Sequence, residues 1–303
     1  MSLAPDPYEL LHSTAAYVRR FRNHTFVLKV GGALLEDRAA SKIICRQIAL
    51  LWSFSIRVVL VHGGGPALDR LCERLSLSVE KVGGRRVTSP AVLEAAQMVL
   101  AGTEHTRLLA DLRACGVPAV GLSGVDAGLL QAVRRAPIST TSGPVDFGLV
   151  GEVTSVDPAI LESLLEGGFL PVIAPLSGDD EGQVFNTNAD TVAAELAIAL
   201  GAEKLIFLLE APGVLRQASR PESLIPHLSL TELEALEVEG ALQGGMAPKA
   251  AAIRRALQGG VPAAHLVGGR TADGLLAEIF TNEGSGTMVE TGVETGGAIA
   301  GAS

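Results

Sequence analysis

The chain has 303 residues and a net charge of −9, with a pI of about 5.2; 48% of its residues are hydrophobic and only 4% are aromatic. This length suffices for one large α/β domain or two fused lobes with a sizeable core. The acidic balance excludes nucleic-acid binding as the main function, since such interfaces are normally strongly basic.

The cysteine content and the apolar runs indicate the compartment. Three cysteines, an odd number without a CxxC spacing, are typical of a reduced cytoplasmic protein. No apolar run reaches the length of a membrane span, and the first residues, MSLAPDPYELLHSTAAYVRRF, lack the hydrophobic region of a signal peptide. The sequence therefore predicts a cytoplasmic protein without membrane association.

Strands alternate with helices along most of the chain. An apolar pattern over residues 8–22 predicts an N-terminal amphipathic helix, free to pack elsewhere, including on another subunit. The predicted strands are TFVLKV, RVVLVH, PAVGLS, FLPVIAPL, KLIFLL and AAHLV, with shorter candidates in 128–156 broken by PISTTSGPVD. The predicted helices are 40–54, 66–75, 90–101, 103–114 (joined to the preceding helix near Gly102), 158–166, NADTVAAELAIALG, 231–241, 248–258 and DGLLAEIF.

This alternation predicts a mostly parallel sheet with helices on both faces. Ligands of such sheets bind outside the carboxyl ends of the strands, where this chain clusters its glycines. The last residues, TGVETGGAIAGAS, lack bulky apolar side chains, which predicts a disordered tail.

Two glycine-rich turns follow the first two strands, in LKVGGALLED and LVHGGGPALD. Glycine lets backbone N–H groups surround an anion, and a helix that starts directly afterwards adds its positive end. The alternative is a pair of ordinary tight turns. Neither matches GxxxxGK[ST] or GxGxxG, so these loops are of neither the Walker type nor the dinucleotide-binding type.

Polar residues in three further stretches accompany the turns. Lys29 lies within a strand, either aimed at phosphates held by the glycines or exposed on an edge strand. Asn186, Asn188 and Asp190 cluster at a helix start, where one of them would serve as N-cap. Lys249 lies in a first helical turn, where the helix dipole disfavours a cation unless an anion is near.

Taken together, these stretches resemble the amino acid kinase family, and within it the members that phosphorylate N-acetyl-L-glutamate. The matching runs span residues 8–290 in the family's order: VLKVGGALLED, VLVHGGGPALD, GGRRVT, AVGLSG, DFGLVGEV, LPVIAPL, NTNAD, GGMAPK and EIFTNEGSGTMV. The resemblance implies a three-layer αβα sandwich with an N-terminal helix (1–24), an acyl amino acid lobe (25–178), an ATP and arginine lobe (179–290) and the tail (291–303).

The resemblance also implies residue roles. Lys29 and Lys249 would stabilise the transferred phosphoryl group, and Asp190 would hold both lysines. Further residues would bind the ligands: Gly64, Gly65, Arg86 and Asn186 the acyl amino acid, and Gly31, Gly32 and Gly63 the nucleotide phosphates. The cofactor would be ATP with Mg²⁺ as a substrate complex, with no resident metal site. The acceptor carboxylate is already ionised at pH 7, so attack needs no general base.

Two further features imply regulation by L-arginine. The N-terminal helix resembles the extra helix through which arginine-inhibited members assemble hexamers from dimers. The run HLVGGRTADGLLAEIFTNEGSGTMV resembles their arginine site, with His265, Glu278 and Gly284 at matching positions and Tyr17 contributed by the helix. The alternative is a plain terminal strand and helix. Some arginine-sensitive members bind a PII-type protein, which makes such a protein a possible partner.

Several positions depart from the family pattern. Leu209-Glu210 replaces the usual Thr-Asp after the nucleotide-lobe strand, Gly83-Gly84-Arg85 replaces Asn-Gly-Leu, and His105-Thr106 replaces Asn-Lys. Two rival functions stay open. One is a kinase for glutamate or aminoadipate joined to a carrier protein, which the extra charge of Arg85 would suit. The other is a non-catalytic arginine-sensing module like that of N-acetylglutamate synthases, although Lys29, typically lost there, is present.

Overall fold

A computed structural model describes residues 15–83, 85–140, 143–217, 220–242 and 245–292. The predicted helical residues 8–14 and most of the predicted disordered tail, 293–303, lie outside the described residues. The described strands are β1 Thr25–Val30, β2 Arg57–His62, β3 Lys81–Val82, β4 Arg85–Arg86, β5 Ala119–Ser123, β6 Leu130–Arg134, β7 Ile138–Thr140, β8 Gly143–Val145, β9 Gly151–Val156, β10 Leu170–Ala174, β11 Leu176–Gly178, β12 Val184–Asn186, β13 Lys204–Leu209, β14 His227–Ser229, β15 Ala263–Gly268 and β16 Thr287–Glu290.

The described helices are α1 15–21, α2 Gly32–Glu36, α3 Arg38–Ser53, α4 Gly65–Arg74, α5 Pro90–Gln97, α6 Glu104–Ala114, α7 Ala159–Glu166, α8 Ala189–Ala199, α9 Leu230–Val238, α10 Met246–Gln258 and α11 Gly274–Phe280. None of the helices in these ranges is both long enough and apolar enough to cross a membrane.

The predicted three-layer α/β sandwich is confirmed. The large sheet has the order β14-β16-β15-β13-β1-β2-β10-β5, and its pairs are parallel except for β15 with β16. A smaller sheet has the order β12-β11-β6-β9, and β3–β4 and β7–β8 are antiparallel pairs. The lobe boundary at 178/179 stays a prediction.

The alternation of side chains along β1 decides where Lys29 points. Phe26, Leu28 and Val30 are buried in the core that faces α3, whereas Val27 is buried in the core that contains α8 and α10. Because successive side chains of a strand point to opposite faces, Lys29 lies on the face of Val27. The strand is internal, flanked by β2 and β13, so the edge-strand alternative for Lys29 is wrong.

One prediction on secondary structure is refined by the structure and one is wrong. The two helices predicted to join near Gly102 are α5 and α6, and the join is a π-helical segment, Met98–Thr103, in which Val99 and Leu100 are buried. One helical glycine costs only about 1 kcal/mol, which such packing offsets. The segment PISTTSGPVD does not simply interrupt strands, since it carries β7 and β8, which pair locally as a hairpin without an apolar pattern.

Candidate active site

Two lysines converge on one buried carboxylate at the carboxyl edge of the large sheet. The Nζ of Lys29, on β1, lies 2.8 Å from Oδ1 of Asp190, and the Nζ of Lys249, in the first turn of α10, lies 3.3 Å from Oδ2. Lys249 also donates to the carbonyl of Gly245 at 3.0 Å. Lys29 and Asp190 are only 6% and 5% exposed. The structure therefore brings together the three predicted catalytic residues, far apart in the sequence.

The electrostatics of this cluster favour the charged carboxylate. Burial raises the pKa of Asp190, but the charges of Lys29 and Lys249 and their hydrogen bonds outweigh burial and hold the pKa below its ordinary value. Burial also lowers the pKa of Lys249, and the charge of Lys29 lowers it further, against the opposing effect of Asp190. Two cations share one anion, so the cluster carries a net positive charge that suits a phosphate group.

The helix start at Asp190 separates the roles of the neighbouring asparagines. Asn188 is the N-cap of α8, and its Oδ1 accepts from the backbone N–H groups of Asp190 at 2.8 Å and Thr191 at 3.1 Å. The capping prediction is thus confirmed for Asn188, and the Asp190 side chain is left to the lysines. The Nδ2 of Asn186 donates to Oγ1 of Thr88 at 3.1 Å, and Asn186 lines the adjacent cavity.

The two glycine turns pack directly against each other. A Cβ on Gly32 would lie 3.0 Å from three backbone atoms of Gly64 and Gly65, and one on Gly63 would lie 3.1 Å from the nitrogen of Gly32. Gly31 donates its N–H to the carbonyl of Leu208 on β13 at 3.3 Å. Only glycine permits this close approach, and α4 starts at Gly65 without a side-chain cap. Its first N–H groups and positive dipole end therefore offer an anion site.

A cavity of about 240 Å³ opens between these turns and the β3–β4 hairpin, and Gly63, Gly64, Gly65, Arg86 and Asn186 are among its lining residues. Arg86 is held in place by Oδ1 of Asp69 at 2.7 Å and by the carbonyl of Gly65 at 3.3 Å. Its other terminal nitrogen, Nη1, is buried without a hydrogen-bond partner in the described part of the chain. A buried guanidinium nitrogen without a partner is costly unless a bound anion accepts its hydrogen bond.

Three of the predicted arginine-binding residues lie around β15 and α11. Nδ1 of His265 lies 2.7 Å from Oε1 of Glu278, whose Oε2 accepts from the backbone N–H groups of Ser285 at 2.7 Å and Gly286 at 2.8 Å. Gly284 has φ +66°, and a Cβ there would lie 2.7 Å from Oε2 of Glu278. His265, Glu278 and Gly284 are thus brought together.

Tyr17 stands apart from these three residues. It donates a short hydrogen bond to Oδ1 of Asn282 and its ring packs on Phe280 and Phe21. Within the described ranges, no hydrogen bond joins Tyr17 to His265 or Glu278. Tyr17 is linked to His265 indirectly: its ring stacks on Phe21, and the centre of the Phe21 ring lies 5.4 Å from the Nζ of Lys204, which contacts His265.

Sequence reasoning missed several functional neighbours. The Nζ of Lys204 lies 2.9 Å from Nε2 of His265. The feature of the sequence that could have pointed to Lys204 is a charged residue at the start of the apolar strand KLIFLL. Asp69, whose carboxylate pairs with the guanidinium of Arg86, lies four residues after the second glycine turn. No motif in the sequence marked this residue as part of the site. Behind that turn, Nε2 of His62 lies 2.9 Å from Nδ1 of His105, and Nδ1 of His62 lies 3.2 Å from the carbonyl of Gly63.

We expect His62 to make the protein less stable in mild acid. Burial and the neighbouring His105 lower the pKa of His62 from its ordinary value of 6.5 to about 4. Below pH 6.5 the unfolded chain binds a proton that the folded chain does not, so stability falls progressively until pH 4. This one residue accounts for about 3 kcal/mol of that loss.

Chemical denaturation between pH 7.5 and 4.5 measures this effect. The slope of unfolding free energy against pH should be smaller in His62→Asn than in the wild type. An unchanged slope in His62→Asn would contradict the assignment.

A site that gathers two lysines, a buried carboxylate, glycine turns and a helix start defines a protein suited to binding and transferring phosphoryl groups. In the described ranges, no group of three or more His, Cys, Asp or Glu side chains is arranged to hold a metal ion. The sequence model of the amino acid kinase family matches residues 24–268. The chain belongs to this family.

Individual relatives agree with the family match. The chain is 59% identical over 295 residues to an acetylglutamate kinase from Myxococcus xanthus (strain DK1622), covering 95% of this chain and 96% of that one. It is 44% identical to an acetylglutamate kinase from Synechococcus sp. (strain RCC307), covering 93% of each. An N-acetylglutamate synthase from Neisseria gonorrhoeae, solved with coenzyme A and L-arginine, aligns with a TM-score of 0.80 at 28% identity. That match covers 95% of this chain, which spans 66% of the synthase chain.

Proposed function

We propose that the protein transfers the γ-phosphoryl group of ATP to the γ-carboxylate of N-acetyl-L-glutamate, giving N-acetyl-L-glutamyl 5-phosphate and ADP in arginine biosynthesis. The observation that carries the proposal is the cluster of Lys29, Asp190 and Lys249 beside the paired glycine turns. The two acetylglutamate kinases above, similar over nearly their full lengths, support it. Mg²⁺ would enter bound to ATP, as part of the substrate.

The chemistry follows from the charges of the site. A carboxylate oxygen of the acceptor attacks the γ-phosphorus, the bond from that phosphorus to the bridging oxygen breaks, and ADP leaves with the electron pair. No proton moves, since the carboxylate is ionised at neutral pH. The lysine pair neutralises negative charge on the transferred group, and the carboxylate of Asp190 keeps both ammonium groups in place. Alignment and charge stabilisation then supply most of the catalysis.

The cavity would hold the acceptor by its α-carboxylate. Nη1 of Arg86 is buried and free of partners among the described residues, while the rest of that guanidinium is fixed by Asp69 and Gly65. A carboxylate bound there receives a charge-assisted hydrogen bond from a preorganised donor. Asn186 lines the same cavity and offers an amide to the acyl amino acid.

Acyl phosphate formation tests the proposed function. The purified protein is incubated with MgATP and N-acetyl-L-glutamate, and the product is trapped with hydroxylamine as a hydroxamate. We expect turnover that depends on both substrates. N-acetyl-L-2-aminoadipate, longer by one methylene, is the comparison acceptor, and preference for it would favour the carrier-linked alternative. Absence of turnover in folded protein that binds L-arginine would favour the sensing module.

We also propose that L-arginine inhibits the enzyme by binding around Glu278 and His265. Glu278 is buried, and a carboxylate is the natural partner of a guanidinium. Lys204 and Phe21 connect this cluster to α1, so a ligand there would contact both the helix and the body of the protein. The synthase crystallised with L-arginine supports the idea, since this chain aligns with it along 95% of its length.

Replacement of Glu278 by glutamine should weaken inhibition by arginine. Loss of a charge-assisted hydrogen bond costs about 1.5–3 kcal/mol, so the half-inhibitory arginine concentration should rise about 10–100-fold. Rates are measured against arginine concentration for the wild type, Glu278→Gln and the control Glu290→Gln, whose residue pairs with His227 at the surface. Equal half-inhibitory concentrations in all three proteins would contradict this site.

The remaining expectations concern assembly and location. We propose a homo-oligomer, either a dimer or a hexamer, that uses the N-terminal helix, a PII-type protein as a possible partner, and a cytoplasmic location. Light scattering of the full chain and of a variant without residues 1–22 tests the role of the helix, because only a hexamer built through it would dissociate.

A further inference from the structure

Two buried histidines lie directly behind the second glycine turn, on the opposite face of the large sheet from Lys29. His62 is the last residue of β2, and the alternation of side chains puts it on the face of Leu60, in the core that contains α3 and α6. Its Nε2 lies 2.9 Å from the Nδ1 of His105 on α6, and both rings are buried. The sheet itself therefore separates this pair from the lysine cluster.

The hydrogen bonds of the pair define which ring nitrogens carry a proton. The Nδ1 of His62 lies 3.2 Å from the carbonyl oxygen of Gly63, which can only accept, so this nitrogen is the donor. The Nε2 of a neutral His62 then has a lone pair, and the Nδ1 of His105 must donate to it. Burial lowers the pKa of both histidines, which keeps the rings neutral at pH 7 and this chain of two hydrogen bonds intact.

The chain ends on a peptide group whose other side faces the candidate site. A trans peptide is planar, so its C=O and N–H point in opposite directions. The carbonyl of Gly63 is turned to His62, and the N–H of Gly64 therefore points away from that ring. Among the described residues, this N–H has no hydrogen-bond acceptor. Gly64 lines the acceptor cavity, and a Cβ on Gly32 would lie 3.0 Å from its nitrogen, so the free N–H lies where the two glycine turns meet.

The peptide after Gly63 is held from both sides. The Gly63 N–H donates to the carbonyl of Val30 on β1 at 2.9 Å, and the Gly63 carbonyl accepts from His62. Glycine has no side chain to hold the turn and its backbone is unusually free, so these two hydrogen bonds define the direction of the next N–H. His105 is fixed in turn by Gly121 on β5, where any side chain would collide with its Nε2.

Phosphoryl transfer depends on donors that are aimed, before the reaction, at the oxygens on which charge develops. We propose that His62 and His105 are positioning residues for this step: their hydrogen-bond chain fixes the Gly63–Gly64 peptide with its N–H directed at the transferred phosphoryl group. The histidines themselves touch no reacting atom and transfer no proton. This inference rests on the proposed function, in which the phosphoryl group is transferred beside the paired glycine turns.

Leucine and asparagine variants test this role, because the two side chains branch alike and differ in their polar atoms. The Nδ2 of an asparagine takes the place of the Nδ1 of a histidine. His62→Leu removes the donor to Gly63 and should lower kcat about 10–100-fold, with little change in the KM for N-acetyl-L-glutamate. His62→Asn keeps this donor and should recover most of the lost kcat. His105→Leu and His105→Asn should differ in the same direction by a smaller factor.

Rates are measured by hydroxamate formation, and circular dichroism checks that each variant is folded. The control is His227→Leu, on the edge strand β14, which should leave kcat unchanged. Equal kcat values in His62→Leu and His62→Asn, or a change confined to KM, would overturn the positioning role.

Nitrogen-15 NMR of the wild-type protein tests the chain without any variant and without turnover. At pH 7.5 both histidines should be protonated at Nδ1 and unprotonated at Nε2, and the Gly64 amide resonance should shift when inorganic phosphate is added. A His62 ring protonated at Nε2, or a Gly64 amide that does not respond to phosphate, would overturn the proposal. If the wild type does not phosphorylate N-acetyl-L-glutamate, the proposed function fails, whereas these two NMR observations still decide whether the histidines aim the Gly64 N–H at an anion.

Discussion

Replacement of Lys29 by alanine is expected to lower kcat about 10²–10³-fold, with a much smaller change in the KM for N-acetyl-L-glutamate. Lys29 lies 2.8 Å from Asp190 at the edge of the glycine turns and outside the acceptor cavity. Its charge would act on the phosphoryl group during transfer, so its loss raises the barrier of the chemical step.

The control for this variant is Lys42→Ala, which removes an exposed lysine from α3 and should leave kcat unchanged. Steady-state rates are measured by hydroxamate formation, and circular dichroism checks that both variants are folded. A fall in kcat below threefold for Lys29→Ala would contradict the catalytic role. A large rise in KM with unchanged kcat would indicate that Lys29 serves binding alone.

Replacement of Asp190 by asparagine is expected to destabilise the protein by about 3–5 kcal/mol, besides lowering its activity. The variant leaves two buried ammonium groups near each other without their shared anion. Because the remaining charge is positive, polyanions should restore much of the lost stability. We therefore expect ATP or inorganic sulfate to raise the Tm of Asp190→Asn more than that of the wild type.

Thermal and chemical denaturation with and without these anions measures the effect. Asp180→Asn is the matched control, since Asp180 is exposed between β11 and β12 and has no part in the lysine cluster. A destabilisation below about 1 kcal/mol, or equal anion effects in both proteins, would show that Asp190 does not neutralise the pair.

The carboxyl group of Asp190 should make the folded protein less stable as the pH falls. The pKa of Asp190 is lower in the folded protein than in the unfolded chain, so its contribution is present above the unfolded pKa. This contribution is lost as the pH falls through the depressed folded pKa. Acid unfolding should therefore be steeper in the wild type than in Asp190→Asn, which has no carboxyl group to protonate at this position.

Local patterns in the sequence were sufficient for most elements of the fold. The apolar strands, the helix starts at Pro66 and near Lys249 and the two glycine turns all depend on neighbours within a few residues, and the structure contains them near the predicted positions. These local patterns did not predict that the join near Gly102 is π-helical, with Val99 and Leu100 buried.

The residues of the candidate site were also predicted from the sequence, through strand ends, helix starts and the family resemblance. The sequence did not show which of these residues form ion pairs or hydrogen bonds with each other. Asp190 accepts a hydrogen bond from Lys249, which lies 59 positions further along the chain. Lys29 points to the same side of the sheet as Asp190 only because side chains alternate along β1. The choice of Asn188 rather than Asn186 as N-cap depended on the backbone geometry at the start of α8.

The sequence by itself determined the layered α/β architecture, the glycine turns and the identity of the charged residues, because these follow from local propensity and periodicity. Only the tertiary structure decided which charges neutralise each other. It pairs Arg86 with Asp69, surrounds Glu278 with His265 and two backbone N–H groups, and leaves Arg85 without a described ion-pair partner. Electrostatic pairing depends on distance in space and on burial, and neither quantity is a property of a short stretch of sequence.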